Sequence, residues 1–447
     1  MKKALITAGG ALAAAGAVRA LRRSREGFPQ PRSGGRRVLI LGGGFGGFYT
    51  ALRLGERLKS YAGTSVLLVA RDNFFTFQPL VPDVISGNTE VRHIAIPLRR
   101  HLHRAGVNFL RAEVEGIDLE NRIVQTSRGP LEYELLVIAL GGQPAYFGVE
   151  GAEEHSLRLW DIRDGLRMRN AVIGRFEEAA ALRPDDYPPG LLTFAVVGGG
   201  YSGVEAAGQI HNLIHKGIRP DYPWVDYGQV RLVLAEGLPE ILPEIDPALR
   251  EVGRRRLTNL GIEVHTGDFV SEVSPEGLSF RSGEFIPART VLWSAGGRGS
   301  EVLESMTAEK DKMNRIVVNE RLQLPGHEGV WALGDAASAP GPDGNPVPPT
   351  AQGAVQESEV VAHNVYASLT EGEPREFEYR PLGQLIEIGG AFALSEVMGW
   401  KLSGTLGHAL ERAVHLQRLT DRQKRVRVLM DWALDYVFPP DTSDLGL

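Results

Sequence analysis

The sequence predicts an α/β chain built from two doubly wound, parallel-sheet units of one kind, followed by an amphipathic helical tail. Three observations carry this expectation. The apolar run Val38 to Leu41 breaks into Gly42-Gly43-Gly44-Phe45-Gly46-Gly47 and passes into a helix-forming stretch. The same order returns at Leu192 to Val197, where Gly198-Gly199-Gly200-Tyr201-Ser202-Gly203 precedes Val204-Glu205-Ala206-Ala207. Near the C-terminus, Leu406, Leu410, Ala413, Val414 and then Val426, Leu429, Ala433, Tyr436 and Val437 recur at helical spacing.

Both glycine clusters have G-x-G-x-x-G spacing. Gly42 and Gly198 permit the tight turn, Gly44 and Gly200 let a pyrophosphate approach the backbone, and Gly47 and Gly203 let the helix pack closely on the strand. The free N–H groups and dipole of each helix N-terminus then hold the phosphates. Each unit therefore reads as a Rossmann-like dinucleotide-binding domain. Two such domains in one chain point to electron transfer between a bound flavin and a nicotinamide.

The 447 residues include no cysteine, which removes disulfides, thiolate metal sites, cysteine nucleophiles and redox dithiols together. No metal site is expected. Residues 1 to 37 carry nine Lys or Arg against Glu26, so the net charge of −6 leaves −14 on the remainder, and an acidic body gives no reason to expect nucleic acid. Ala4 to Val18 is apolar, bounded by Lys2-Lys3 and Arg19, and shorter than an ordinary spanning helix. It reads either as a signal peptide, with Ala15-Gly16-Ala17 offering a cleavage site, or as an uncleaved tether that leaves the body on the cytoplasmic side. The tether is favoured, because export would part the protein from the cytoplasmic nicotinamide pool.

In chain order, Ser65 to Ala70 is the next parallel strand; Ala70 stands where a ribose-binding acid belongs, and Asp72 follows two residues on. The aromatic run Phe74 to Pro82, with two prolines at its end, reads as a loop. Short strands at Asn108 to Leu110, Arg122 to Gln125 and Leu135 to Leu140 lead into Gly141-Gly142. In the second unit the strand Val230 to Ala235 ends on Glu236, placed to accept both ribose hydroxyls of an adenosine and to repel a 2′-phosphate. NADH is thus expected over NADPH. The long interval between Gly203 and Glu236 fits an insertion around Lys216 to Gln229. Val291 to Ala295 is a strand ending on Gly296-Gly297, and Gly329 to Leu333 delivers Gly334-Asp335, where Asp335 either caps a helix or serves a ligand. Pro348-Pro349-Thr350 opens a helix that carries Gln352 and Gln356 on one face, either a solvated face or a site. Residues 401 to 430 hold seven Lys or Arg against Glu411 and Asp421, which suits an anionic membrane surface or, alternatively, a docked helix with a solvated face.

Together these segments resemble the two-dinucleotide-binding-domain flavoproteins and, within them, the type II NADH:quinone oxidoreductases. Phe77-Gln78-Pro79-Leu80, Ala351-Gln352-x-Ala354-x-Gln356 and the tail with His415-Leu416 and Asp431-Trp432-Ala433 carry the narrower likeness. The resemblance implies FAD on Gly42, Gly44, Phe45, Gly46, Gly47, Asp72, Gly141, Gly334, Asp335 and Gln352. It implies NADH on Gly198, Gly200, Ser202, Gly203, Glu205, Glu236 and Gly296. Glu205 then lies beneath the stacked nicotinamide and flavin, and Gln352 and Gln356 face the quinone, so these three are the implied catalytic residues. The implied domains are a tether or signal-like segment over 1–35, an FAD domain over 36–155 and 291–375, an NADH domain over 156–290, and a membrane-association region over 376–447. A peripheral protein on the cytoplasmic side of the cell membrane, with NADH and a membrane quinone as its substrates and a homodimer as a possible assembly, completes the expectation. The competing readings are a flavoprotein reductase of a soluble redox protein such as ferredoxin, and a flavin-bound protein without turnover.

Overall fold

The structure is a computed structural model that describes residues 35–61, 63–342, 344–444 and 446, so the apolar segment Ala4 to Val18 lies outside the described residues. The chain forms two compact units. Unit 1 gathers the chain up to Phe75 with Pro97–Gln143 and Arg298–Arg380; unit 2 gathers Thr76–Ile96, Pro144–Gly297 and Pro381–Leu447.

Unit 1 contains a five-stranded parallel sheet in the order Val330–Ala332, Leu135–Ile138, Arg36–Leu41, Thr64–Ala70, Asn108–Arg111. Its first strand is central, with the second and third to one side and the fourth and fifth to the other. That order creates a switch point at the C-terminal end of Arg36–Leu41, where open parallel sheets bind ligands. Val38, Leu39, Ile40 and Leu41 are fully buried, as are Leu136, Val137 and Ile138, which is why these runs lack the alternation of a half-exposed strand. The helix Phe45–Leu58 follows the glycine turn, and the helix Ala351–Thr370 packs along it, tied by Arg53 and Arg57 to Glu359 at 2.7 and 2.6 Å.

Unit 2 repeats the plan: Leu157–Arg158, Thr290–Trp293, Thr193–Val197, Arg231–Glu236 and Ile262–Thr266 form a second five-stranded parallel sheet around its own glycine turn. Its core contains Phe176, Phe194, Val196, Leu213 and Leu234, all fully buried.

Several elements differ from the sequence expectation. Phe74 to Pro82 is not a loop: it forms a strand Phe74–Thr76, a 3-10 turn Gln78–Leu80 and a helix Val81–Ser86. Pro79 and Pro82 sit in the first turns of the last two, where a missing N–H costs nothing. The insertion begins as a continuation of the helix Tyr201–Asn212, which widens into π-type turns over Leu213–Ile218. The segment Thr76–Ile96 falls in unit 2 because the helix Val81–Ser86 packs on the helices Ile162–Ala180 and Tyr201–Asn212. The tail falls there too, for its strand Gly383–Glu387 lies on Tyr201–Asn212 and its helix Gly404–Arg418 packs on that strand and on Ala393–Val397. Among the described residues no helix is long and apolar enough to cross a membrane.

Candidate functional site

The two glycine turns are built alike. Gly42 has φ +104° and its N–H donates to the Val69 carbonyl at 2.8 Å; Gly198 has φ +111° and donates to Ala235 at 2.8 Å. A Cβ at Gly47 would lie 2.0 Å from the Gly42 carbonyl oxygen, and one at Gly203 would lie 1.9 Å from that of Gly198. Helix and turn therefore approach to a distance that only glycine permits. Gly44 and Gly200 differ: a Cβ at either would meet nothing within 4 Å. They are the N-cap residues of Phe45–Leu58 and Tyr201–Asn212, with no side-chain cap and no acid in the first turn. Each helix thus presents backbone N–H groups and a positive dipole end with no side-chain cap and no acid in its own first turn, as a pyrophosphate requires.

The matched registers make Ala70 the counterpart of Glu236, and here the units part. In unit 2 the Glu236 carboxylate accepts the Gly199 N–H at 2.6 Å and the Leu238 N–H at 2.8 Å, so it braces the glycine turn from the tip of the neighbouring strand. Ala70, buried against Gly43, has no group to do this, and the nearby Asp72 carboxylate pairs with Arg71 at 3.3 Å.

Elsewhere in unit 1, Gly141 follows the strand Leu135–Ile138 with φ +71°, and Gly334 has φ +66° at the head of the turn that carries Asp335. Sequence reasoning missed Glu357, whose buried carboxylate accepts the Gly334 N–H at 2.5 Å and so fixes the turn that presents Asp335. Burial pushes Glu357 up to about 7, with Asp335 adding to the rise and the Gly334 N–H and Arg315 opposing it. Desolvation also raises Asp335, against the pull of Arg315. The helix Ala351–Thr370 begins where expected, its N-cap Thr350 hydroxyl accepting the Gly353 N–H. Gln352 and Gln356 are both half-buried on it. The Gln356 amide is committed at both ends to the Arg380 backbone, donating to its carbonyl at 2.9 Å and accepting its N–H at 3.1 Å. Gln356 therefore pins a chain segment and has less to offer a ligand than the sequence expectation assumed.

In unit 2, Ser202 lies exposed on the first helical turn. Gly296 has φ +74° and a Cβ there would meet the Phe147 ring at 2.5 Å, although that ring is otherwise largely exposed. Glu205 projects from the same helix toward a buried polar cluster that sequence reasoning did not assemble. Arg412 joins Asp83 and, at 2.6 Å, Glu387; Gln209 donates to Asp83 at 3.0 Å and to Glu387 at 3.1 Å; and the Glu387 N–H donates to Glu205 at 3.4 Å. Burial raises Glu205 well above the usual carboxylate range, and the Glu411 and Glu387 carboxylates add to it. Glu387 is pushed up to about 8 by burial, with Arg412 opposing. No local sequence signal marks this cluster, since Asp83 and Arg412 are 329 residues apart.

Comparison with known proteins follows the same lines. The model of the pyridine nucleotide-disulphide oxidoreductase family matches residues 36–358. A type II NADH:quinone oxidoreductase of Mycobacterium tuberculosis is 30% identical over 419 residues, covering 90% of this chain and 88% of its own. A demethylphylloquinone reductase of Synechocystis is 31% identical, covering 89% and 95%. Among solved structures, NDH2 from Plasmodium falciparum in complex with NADH superposes with a TM-score of 0.82 at 19% identity, over 91% of this chain and 99% of that one.

Proposed function

Because the chain belongs to the pyridine nucleotide-disulphide oxidoreductase family, and within it to the type II NADH:quinone oxidoreductases, we propose that its flavin is FAD, its electron donor NADH and its acceptor a membrane quinone. The observation that carries this reading is the pair of open, uncapped glycine turns, one in each unit. FAD, when bound, would supply two-electron redox chemistry between NADH and a quinone in a ping-pong cycle. Gly42, Gly44 and Gly47, with the N-terminal N–H groups from Phe45 and Gly46, would hold its pyrophosphate. Glu357 sets the Gly334 turn that would offer Asp335 to its ribityl chain, with Gly141 at the end of the neighbouring strand. Gly198, Gly200, Ser202, Gly203 and Gly296 serve NADH. Burial raises Glu205 well above the usual carboxylate range, which favours its uncharged form beside the reacting rings. Gln352 is the acceptor-side amide; it orients a quinone oxygen without placing a charge there. With no cysteine in the chain, electrons have no sulfur acceptor, which sets this protein apart from the disulfide-exchanging members of its family. Denaturation should release FAD, and NADH oxidation should proceed with a short-chain quinone and not with ferredoxin. The reverse preference would overturn the acceptor assignment.

Two expectations concern the ribose positions. Glu236→Gln should narrow the preference for NADH over NADPH by removing repulsion of the 2′-phosphate. It keeps an oxygen for the Gly199 N–H and gives up only the bond from the Leu238 N–H, so the glycine turn itself should stand. Equal use of both cofactors by the unmodified enzyme would remove Glu236 from the site. Ala70→Glu should copy the Glu236 brace onto Gly43 and slow FAD loss tenfold or more, since a hydrogen bond to a charged group is worth about 1.5 to 3 kcal/mol. Measured flavin release that is unchanged or faster would show that the adenosine end gains nothing there.

The tail is proposed to rest on an anionic membrane surface at the cytoplasmic side. Leu406, Val426, Leu429, Met430, Leu434, Tyr436, Val437 and Phe438 are all exposed, an apolar set that water alone does not explain. Arg418, Arg422 and Arg427 are exposed beside them, whereas Lys424 and Arg425 are spent on the Arg92, Leu419 and Gln417 carbonyls. Three free arginines contribute about 3 kcal/mol near such a surface. Vesicle binding should therefore require anionic lipid and weaken markedly in high salt when Arg418, Arg422 and Arg427 are the contacts. Salt-insensitive binding would mean that the apolar residues suffice.

A further inference from the structure

Helix Gly404–Arg418 turns an unusual face inward: its buried residues are Gly407, His408, Glu411 and His415, while Leu406 stays in water. His408, Glu411 and His415 follow at i, i+3 and i+7, so they share one face, and strand Gly383–Glu387 brings Glu387 up to it. Among the described residues, the Nδ1 of His408 and the Oε2 of Glu411 have no hydrogen-bond partner, although His408 is only 8% exposed and Glu411 2%. Buried polar atoms without partners are rare enough to need a cause. The spacing suggests one. His408 Nδ1 is 3.9 Å from Glu387 Oε2 and 3.9 Å from Glu411 Oε2, too far for hydrogen bonds, and one ligand atom from each residue lies within 4.8 Å of the others.

We infer that Glu387, His408 and Glu411 form a divalent metal site, of the type that takes zinc. Imidazole nitrogen with carboxylate oxygen is a zinc-type donor set, and bonds of about 2.0 to 2.2 Å separate tetrahedral ligand atoms by roughly 3.3 Å. The histidine nitrogen thus needs to close on each carboxylate by roughly 0.6 Å and the two carboxylate oxygens on each other by at most roughly 1.5 Å, within the reach of rotations of two glutamates and one histidine. Charge points the same way. Asp83, Glu387 and Glu411 are 3%, 5% and 2% exposed, and among the described residues Arg412 is the one Lys or Arg in ion-pair contact with them. Three buried carboxyl groups thus share one guanidinium, and a divalent ion is a partner that such a carboxyl-rich pocket accepts. Arg412 directs its terminal nitrogens to Asp83 and to Glu387 Oε2, and its Nε lies 3.5 Å from Glu411 Oε2 without a hydrogen bond, so each of the two ligand oxygens keeps a lone pair for the ion beside the guanidinium. His415, whose Nδ1 lies against Glu411 Oε1, orients that carboxylate from behind, as outer partners of metal ligands do. The ion would staple helix Gly404–Arg418 to strand Gly383–Glu387 and so hold the tail in place.

The test uses the full chain with its flavin, purified without a histidine tag and stripped with a chelator. Titration with zinc against a chromogenic chelator should show one tight equivalent per chain, zinc should raise the thermal unfolding midpoint, and zinc-edge X-ray absorption should show nitrogen and oxygen ligands only. His408→Gln and Glu411→Gln should each weaken zinc binding by at least about a hundredfold, since even outer partners of ligands cost 10- to 100-fold. Flavin content and circular dichroism report whether these variants fold. If either does not, the unmodified protein still decides the matter through its stoichiometry and absorption spectrum. Two results overturn the site: folded, stripped protein that binds no zinc, which would mean that protons neutralise the carboxylates, or a folded His408→Gln protein that binds zinc as tightly as before.

Discussion

Gly203→Ala is expected to leave the purified protein yellow and to slow flavin reduction by NADH about a hundredfold or more, whereas Gly47→Ala is expected to yield protein with little bound flavin. The two substitutions are chemically identical and occupy equivalent places in the two units. A Cβ would lie 1.9 Å from the Gly198 carbonyl oxygen in one and 2.0 Å from that of Gly42 in the other. The atom it meets is backbone in both, so no side chain can swing aside, and the helix must lift from the turn. Overpacking of this kind costs about 1 to 3 kcal/mol or more, and the displaced helix start is the phosphate-binding element itself. A hundredfold loss corresponds to about 2.7 kcal/mol of transition-state stabilisation. Flavin content by absorbance and reduction by stopped flow read the two outcomes separately. Loss of flavin from Gly203→Ala with retention in Gly47→Ala would reverse the assignment of cofactors to units.

Glu357→Gln is expected to make the protein more stable at pH 8 and to leave its stability near pH 5 almost unchanged. Glu357 titrates near 4.5 when solvated and near 7 in the fold, so the native state holds a proton that the unfolded chain releases over that window. Stability referable to this group is fully present below pH 4.5 and falls as the pH rises to 7, by roughly 3 kcal/mol in total. Glutamine carries no charge to desolvate and keeps an oxygen for the Gly334 N–H. The groups facing Glu357 are Asp335, which sharpens the rise, and Arg315, which limits it. Denaturant unfolding of both proteins at pH 5 and pH 8 should therefore show a difference that opens with pH. A constant difference, or one that closes, would mean that Glu357 is already ionised in the fold and that its Gly334 contact compensates.

Both experiments rest on features of unequal legibility. The glycine turns were plain in the sequence because their requirement is local: φ near +100° at Gly42 and Gly198 and the close approaches at Gly47 and Gly203 act within six residues. Glu236 was readable for a related reason, as the last residue of a strand whose register is set by its apolar run. Glu357 was not, although it lies in the same helix as Gln352 and Gln356. Its partner is a backbone N–H 23 residues earlier, and nothing in its neighbours announces burial. Gln356 shows the converse. Its helical spacing from Gln352 was correct, yet its amide is held by the Arg380 backbone, a contact that spacing cannot foresee.

By itself the sequence determined two strand–glycine–helix units and the place of Glu236 at the tip of its strand, because each depends on backbone conformation and side-chain type over a short span. The tertiary structure alone decided which face of the tail is inside. Periodicity singled out Leu406, Val426 and Leu429 as an apolar stripe, and a stripe of that kind ordinarily faces a core. In the folded chain those residues are exposed, and His408, Glu411 and His415 are buried instead, because that face of the helix packs on the strand ending at Glu387, where Asp83 and Gln209 from distant segments gather with Arg412. Burial of a charge is governed by what surrounds it in space, and that environment exists only once the chain has folded.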